Sequence, residues 1–159
     1  MIDIDTRELA ALYAEYADAL DDTRLDDWLE LFIDDCVYQA IARENFDRGL
    51  PLATMRCESR GMLADRVTAI RTTSMYAPRT LRHLVDAPRV RTRLDGDPGR
   101  IAVEANFLVV QTLVGEPTTL FSSGRYRDAV VETPAGLRFA EKIAVYDSAL
   151  VPTSLIYPL

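Results

Sequence analysis

The chain has 159 residues, 48% hydrophobic and 27% charged, which suits one domain spanning 1–159 around a single sizeable core rather than a disordered polymer. Its formal net charge is −7, with 12 acids against two bases in residues 1–35 and 13 acids against 16 bases thereafter, a balance that makes nucleic acid a poor partner. No apolar run approaches the ~20 residues that cross a bilayer, and Met1-Ile2-Asp3-Ile4-Asp5 lacks the basic start and apolar stretch of a signal peptide, so the expected setting is the cytoplasm, away from membranes.

Taken in chain order, helices come first. Asp5-Thr6-Arg7-Glu8 fits a capping box, and Leu9, Leu12, Tyr13, Tyr16, Ala17 and Leu20 behind it form one apolar stripe at helical spacing. Thr23 suits the cap of a second, shorter helix carrying Leu25, Trp28, Leu29 and Phe32, closed by Asp34-Asp35. Residues 36–42 read as a strand, residues 43–52 as a loop, and a short strand follows near residues 53–57. Ser59 opens a third helix with Met62, Leu63, Val67 and Ile70 on its apolar face.

Strands then take over. Residues 81–94 are extended but interrupted at Pro88. Asp95-Gly96-Asp97-Pro98-Gly99 is a turn, residues 100–114 a long strand, Gly115-Glu116-Pro117 a turn, residues 118–132 another strand, and Pro134-Ala135-Gly136 a turn. Residues 137–150 form the last strand, with Leu137, Phe139, Ile143 and Val145 on one face and Arg138 and Lys142 on the other. Helices first and an antiparallel meander last is an α+β order. Strands this long twist and coil, and wrapping them around the amphipathic helices gives a cone with a hollow.

The residue inventory limits the chemistry. His83 is the one histidine, and Cys36 and Cys57 are the only cysteines, without a Cys-x-x-Cys pair. A Rieske cluster takes two Cys and two His, and a non-haem iron facial triad takes two His and a carboxylate, so this chain supplies no metal site of either kind. Gly-rich phosphate loops and a Gly-x-Ser-x-Gly elbow are absent too. The cysteines read as small buried hydrophobes. An acid/base site inside the cone would draw on Tyr13, Tyr16, Asp34, Asp35, Tyr38, His83 or Asn106; the sharpest such set is His83, Asp35 and Tyr38, suited to proton abstraction next to a carbonyl. Against it, Tyr13 and Tyr16 sit on the apolar stripe, the aspartates suit a turn, and a strand histidine is commonly structural. Arg79, Arg82, Arg89, Arg91 and Arg93 crowd one stretch beside Tyr76, and alternation would put the last three on one basic strand face, either solvated or docked on an acidic partner. The apolar ending Leu155, Ile156, Tyr157, Pro158, Leu159 is a second candidate contact.

Along nearly its whole length the chain resembles the beta subunits of aromatic-ring-hydroxylating dioxygenases. The likeness rests on Asp26-Asp27-Trp28-Leu29-Glu30-Leu31-Phe32 leading to Asp34-Asp35-Cys36-Val37-Tyr38, on Met62-Leu63-Ala64-Asp65-Arg66, Arg82-His83-Leu84-Val85, Asn106-Phe107-Leu108-Val109, Ser123-Gly124-Arg125-Tyr126-Arg127-Asp128 and Ile143-Ala144-Val145-Tyr146-Asp147. Met62-Leu63-Ala64-Asp65-Arg66-Val67, with the Tyr76 to Arg82-His83 segment and the ending Tyr157-Pro158-Leu159, resembles most the terephthalate and salicylate oxygenases. Many relatives have a Trp-Ser-Glu type segment at Met75-Tyr76-Ala77-Pro78 and Glu-Arg at Glu141-Lys142. The resemblance implies a cystatin-like cone of the kind found in nuclear transport factor 2 and scytalone dehydratase. It implies a non-catalytic support subunit, a trimer within an assembly of three alpha and three beta subunits, whose alpha partner holds the Rieske 2Fe–2S cluster and the mononuclear Fe(II). Two other classes stay open: a stand-alone lyase or isomerase using His83, Asp35 and Tyr38, and a small-molecule binding module.

Overall fold

In the computed structural model, which describes residues 4–73, 75–94, 97–152 and 154–159, the apolar stripe near the start forms α1, Thr6–Asp21. Asp5 caps it by accepting the Arg7 N–H at 2.8 Å, and Leu9, Leu12, Tyr13, Tyr16, Ala17 and Leu20 are all buried. Thr23 is not a cap: it takes a positive φ of 56°, and Arg24 leads into α2, Leu25–Leu29, without a side-chain cap. That helix stops short of Phe32 because Phe32 is spent in the sheet, opposite Phe139, where it opens β1, Phe32–Ala42. Asp34 and Asp35 therefore close no helix. They lie where the register of β1 slips between Phe32 and Val37, and both are exposed. The expected loop contains a single helical turn, α3, Arg43–Asp47, followed by β2, Met55–Cys57. The hydroxyl of Ser59 accepts the Met62 N–H at 3.1 Å and starts α4, Arg60–Thr72, which buries Leu63 and Val67 but leaves Met62 largely outside.

Five strands complete the chain: β3, Arg79–Val85; β4, Arg89–Leu94; β5, Asp97–Leu113; β6, Thr119–Thr133; and β7, Gly136–Tyr146. The stretch expected as one interrupted strand divides around Asp86-Ala87-Pro88, where proline has no N–H to give a ladder. Of the turn expected at residues 95–99, Asp95 and Gly96 lie outside the described residues, and Asp97 already belongs to β5. The last strand ends at Tyr146 rather than residue 150. The order across the sheet is β2-β1-β7-β6-β5-β3, with β4 also paired to β5. Only β1 and β7 run parallel among these pairs. The result is a curled, open, mainly antiparallel sheet with α1 against β3 and β7 on its concave side. This is the α+β arrangement that the helix-first order leads one to expect.

Two of the sheet's register shifts change which residues face inward on β4 and β7. Ala129 stands opposite Glu141, yet Val130 stands opposite Phe139, so β7 carries one extra residue, Ala140. Side chains alternate strictly along a strand, and one inserted residue inverts everything beyond it. Leu137 and Phe139 point inward as expected. Past Ala140 it is Lys142, Ala144 and Tyr146 that turn in, while Ile143 moves to the outer side. The expectation of an outward Lys142 is thereby corrected. The second bulge is at Arg91, between the register pairs Val90↔Val103 and Thr92↔Ala102. It breaks the alternation that would have lined up Arg89, Arg91 and Arg93 on one face; the side chain of Arg93 lies outside the described part.

Gly124 in β6 has no room for a side chain: a Cβ there would stand 2.0 Å from the Val145 carbonyl oxygen and 2.9 Å from Cζ of Phe107. Gly124→Ala must push β7 or Phe107 aside, at a cost of about 3 kcal/mol. Urea unfolding should show a lower midpoint at unchanged slope.

Candidate functional site

The concave side of the sheet is filled, and mostly by rings. Trp28, Tyr13, Tyr16, Tyr38, Tyr126 and Phe139 are among the largest fully buried side chains. They meet edge to face or tilted at centroid separations of 5.3 to 6.3 Å for Tyr13–Phe139, Tyr16–Phe139, Tyr16–Tyr126, Tyr38–Trp28 and Tyr13–Tyr126. Each such pair contributes about 0.5–1.5 kcal/mol beyond its area.

Into this dry shell the Ala140 bulge drives an ammonium group. Lys142 Nζ lies 2.9 Å from Asp128 Oδ2, with both side chains at 0% exposure. The two residues are cross-strand neighbours, since Ala129 faces Glu141. The phenol of Tyr13 donates to the same Asp128 oxygen, and the Ile143 N–H donates to its other oxygen at 3.1 Å. Lys142 Nζ also sits 2.9 Å from the centre of the Tyr126 ring, a cation–π contact. Burial pulls the Lys142 ammonium down to about 8 against the opposing pull of Asp128, and burial raises the Asp128 carboxyl against the opposing pull of Lys142. Burial likewise raises the Tyr13, Tyr16, Tyr38 and Tyr126 phenols, so these stay neutral rather than acting as bases, and the Tyr126 hydroxyl has no hydrogen-bond partner among the described residues.

The proposed His83, Asp35 and Tyr38 set is not brought together. Asp35 is on the outside near Arg100, at 3.9 Å. Tyr38 is buried, its phenol oxygen accepting the Leu159 N–H at 2.9 Å. His83 is tied to Asp21 at 2.6 Å and to the Pro158 carbonyl oxygen at 3.3 Å. Of the other candidates, Tyr16 donates to the Leu159 main-chain oxygen at 2.5 Å. Asp34 is exposed, 3.6 Å from Arg60, and Asn106 is exposed and bonded to Asp86 and Arg125. A cleft of about 280 Å³ runs between α1 and the β3–β4 connection, walled by Tyr13, Ala14, Asp18, His83, Asp86 and Pro88. Both ring nitrogens of His83 are already engaged away from it. Burial raises the Cys36 thiol to about 11, which keeps it from acting as a thiolate.

The candidate contact residues divide. Tyr76, Arg79 and Tyr157 form one stack, the Arg79 guanidinium 3.5 Å from the Tyr76 ring centre and the two rings 5.8 Å apart. Arg89 pairs with Asp86 at 2.6 Å, and Arg91 grips Glu104 with two bonds of 2.9 and 2.7 Å. Arg82 is half exposed, 3.9 Å from Asp22. Leu155 is buried, while Ile156 and Tyr157 are half-buried, so much of the apolar ending folds back onto the protein. Periodicity overlooked the neighbours of Arg82: Leu84 stands opposite Leu108, and both are exposed on the outer sheet face together with Leu120.

The family model described as ring hydroxylating beta subunit matches residues 15–153. The chain belongs to this family. The beta subunit is 37% identical over 152 residues to the anthranilate 1,2-dioxygenase small subunit of Burkholderia cepacia, covering 96% of this chain and 92% of that protein. It is 31% identical to a terephthalate 1,2-dioxygenase terminal oxygenase beta subunit from Comamonas sp., covering 98% and 99%. A Novosphingobium aromaticivorans crystal structure assigned as the beta subunit of an aromatic-ring-hydroxylating dioxygenase superposes with a TM-score of 0.85 at 35% identity, over 97% of this chain and 96% of that one. In fold alone, the beta subunit is also similar to a cystatin-like protein from Nostoc punctiforme, with a TM-score of 0.66 at 17% identity over 92% and 93%. The molecule is thus a beta subunit of an aromatic-ring-hydroxylating dioxygenase, an oxidoreductase as a holoenzyme.

Lys142→Met in the beta subunit strands the Asp128 carboxylate and should cost about 3–5 kcal/mol, with much of the loss recovered when Asp128→Leu is added, because a broken buried pair is worse than an apolar replacement. The sign with pH follows from the lowered lysine. Below about 8 both folded and unfolded chains hold the proton; between about 8 and 10.5 only the unfolded chain does, so this group makes stability rise with pH there. Urea midpoints measured across that range should climb less in Lys142→Met.

Proposed function

We propose that this beta subunit acts as a support, docking on an alpha subunit that carries the Rieske 2Fe–2S cluster and the mononuclear Fe(II), in a cytoplasmic assembly of three alpha and three beta chains. Residues 1–159 serve this role as one domain. The observation that carries the reading is the interior: its buried charged groups are paired with one another, in the Tyr13–Asp128–Lys142 cluster and in the His83–Asp21 pair, so what the subunit offers a partner is its surface. Its own donors do not fit either iron centre. One histidine, fixed between Asp21 and Pro158, and two cysteines with burial-raised thiols cannot supply the ligands of a Rieske cluster or a facial triad.

The relatives point to an aromatic carboxylic acid as the substrate of the holoenzyme, since anthranilate and terephthalate name two of them. On the surface, the alpha chain meets the Tyr76–Arg79–Tyr157 stack with Ile156, and the outer sheet face around Arg82, Leu84 and Leu108. Exposed leucines rimmed by arginine are what interface cores look like before assembly. Arg89 and Arg91, held by Asp86 and Glu104, shape that surface more than they bind through it.

Co-expression with an iron–sulfur alpha chain should give a large coloured complex by light scattering, whereas the beta chain alone stays colourless and self-associates. Leu84→Asp combined with Arg82→Glu should weaken the complex by about tenfold or more without changing the circular dichroism of the free chain. A free chain that stays monomeric and ignores the iron–sulfur chain would refute the support role.

A further inference from the structure

Acids and arginines form two rungs on the outer face of the sheet, across β4, β5 and β6. In one, Glu104 stands opposite Arg127 and takes its guanidinium, and it also takes Arg91 through bonds of 2.9 and 2.7 Å. The Glu104 side chain is left only 11% exposed, so its charge is spent within the rung. In the other, Asn106 stands opposite Arg125 and accepts its Nε–H at 3.1 Å. The Asn106 side-chain amide and backbone N–H both donate to Asp86 at 2.7 Å, and Arg89 closes that rung on Asp86. Each rung has two arginines and a single carboxylate. The surplus charge sits at the β6 end, where Arg125 has no carboxylate partner among the described residues.

Arg125 and Arg127, with Arg43, line a hollow of about 350 Å³ whose other walls are Phe46, Asp47 and Val145. A second hollow of about 370 Å³ adjoins it, sharing Phe46 and Arg127, and it is lined in part by Ala102, Ala129 and Ile143. Ala102 and Ala129 stand opposite each other in the ladder, so two methyl side chains make a dip between longer neighbours. The acids nearby are spent or remote. Glu104 is shared by two arginines, Arg43 pairs with Asp147, Glu141 pairs with Arg100 at 3.3 Å, and Asp47 lies on the exposed rim. The joined hollow is therefore cationic at one end and apolar at the other. Both β6 guanidiniums are held before a ligand arrives, by Glu104 and by Asn106, which lowers the ordering cost of binding.

We propose that this hollow on the outer sheet face binds an aromatic carboxylate, with the carboxylate on Arg125 and Arg127 and the ring beside Phe46 over the Ala102–Ala129 dip. Guanidinium forks match the two oxygens of a carboxylate. A flat ring gains from Phe46 and from the guanidinium planes, and its apolar edge needs the alanine floor. Inorganic anions use the arginines but not the floor, and amines are repelled by the surplus charge. The site lies on the opposite side of the sheet from the filled interior, so it holds the compound without opening the core. The ligand is of the class read above as the substrate of the holoenzyme, and the choice of a benzoate-type probe rests on that reading. The site itself needs neither an alpha subunit nor turnover.

The test titrates the full beta chain with benzoate and follows its ¹⁵N–¹H spectrum. Saturable shifts should appear with a Kd on the order of 1 mM, centred on Phe46, Ala102, Arg125, Arg127 and Ala129. Benzamide keeps the shape without the charge, and inorganic phosphate keeps the charge without the ring; each should bind about tenfold more weakly or less. Arg125→Gln, a change at an exposed side chain, should weaken benzoate by about tenfold at unchanged circular dichroism. Equal binding of benzamide or phosphate overturns the proposal, as do shifts centred on Tyr13 and Tyr126 in the interior. Lack of saturation at tens of millimolar benzoate overturns it too and leaves the arginine forks to carboxylate side chains of a partner chain. Because no alpha chain is present, failure of the support role leaves these outcomes unchanged, and the wild-type titration decides alone should the variant not fold.

Discussion

An ammonium group with no water around it must find a carboxylate, and in this chain that requirement shapes the middle of the sheet. Lys142 is brought inside by one inserted residue, Ala140, and meets Asp128 on the neighbouring strand at 2.9 Å. The pair then dictates what surrounds it. Tyr13 must lie on α1 with its phenol against Asp128, and the Tyr126 ring must lie under the ammonium. An ion pair of this kind adds little net stability compared with a packed apolar pair, but losing either member is expensive. It therefore works as a register device: a slip of β7 by one residue would leave two unpaired charges, one in the core and one outside it.

A consequence follows for what the domain can do. A curled sheet around helices leaves a concave space, and in this chain the space is taken by rings and by the Tyr13–Asp128–Lys142 cluster. The charged groups there that could transfer protons, Asp128 and Lys142, are spent on one another. The His83 ring is spent on Asp21 and Pro158, and Tyr16 and Tyr38 are spent on Leu159. The surface is organised differently. Exposed Leu84, Leu108 and Leu120 lie on the outer sheet face, and the Tyr76–Arg79–Tyr157 stack offers aromatic and cationic contacts. For a family member whose relatives are dioxygenase subunits, that division between a closed interior and an adhesive exterior suits a chain that builds an assembly.

Much of this was legible in the residues. The Asp5 cap, the Leu9–Leu20 stripe, the Ser59 cap and the long strands after residue 79 follow from local chemistry, and helix-first, strand-last order leads to the fold class. What local chemistry misses is any event that depends on a neighbouring strand. Alternation places Lys142 outside; only the pairing of Ala129 with Glu141 reveals the extra residue. Phe32 reads as helical by spacing, but Phe139 claims it for β1. Arg91 breaks a basic face through a bulge against β5. One signal lay in the residues: Asp128 stands two positions from both Tyr126 and Val130 in a strand, and a buried acid needs a cation close by. The pairing of His83 with Asp21, 62 positions away, had no local signal at all.

A support subunit of this kind keeps its interior closed and makes its contacts through the outer face and the C-terminal segment. Hydrogen exchange by mass spectrometry, run on the beta chain alone, with an aromatic carboxylate added, and within the oxygenase, tests it most directly. Slow exchange of β6 and β7 around Asp128 and Lys142 in all three states, with new protection on assembly confined to the β3–β5 outer face and residues 155–159, is the expected result. Fast exchange around Lys142 in the free chain that slows when the aromatic carboxylate is added would contradict it, because it would mean the interior opens to bind a small molecule.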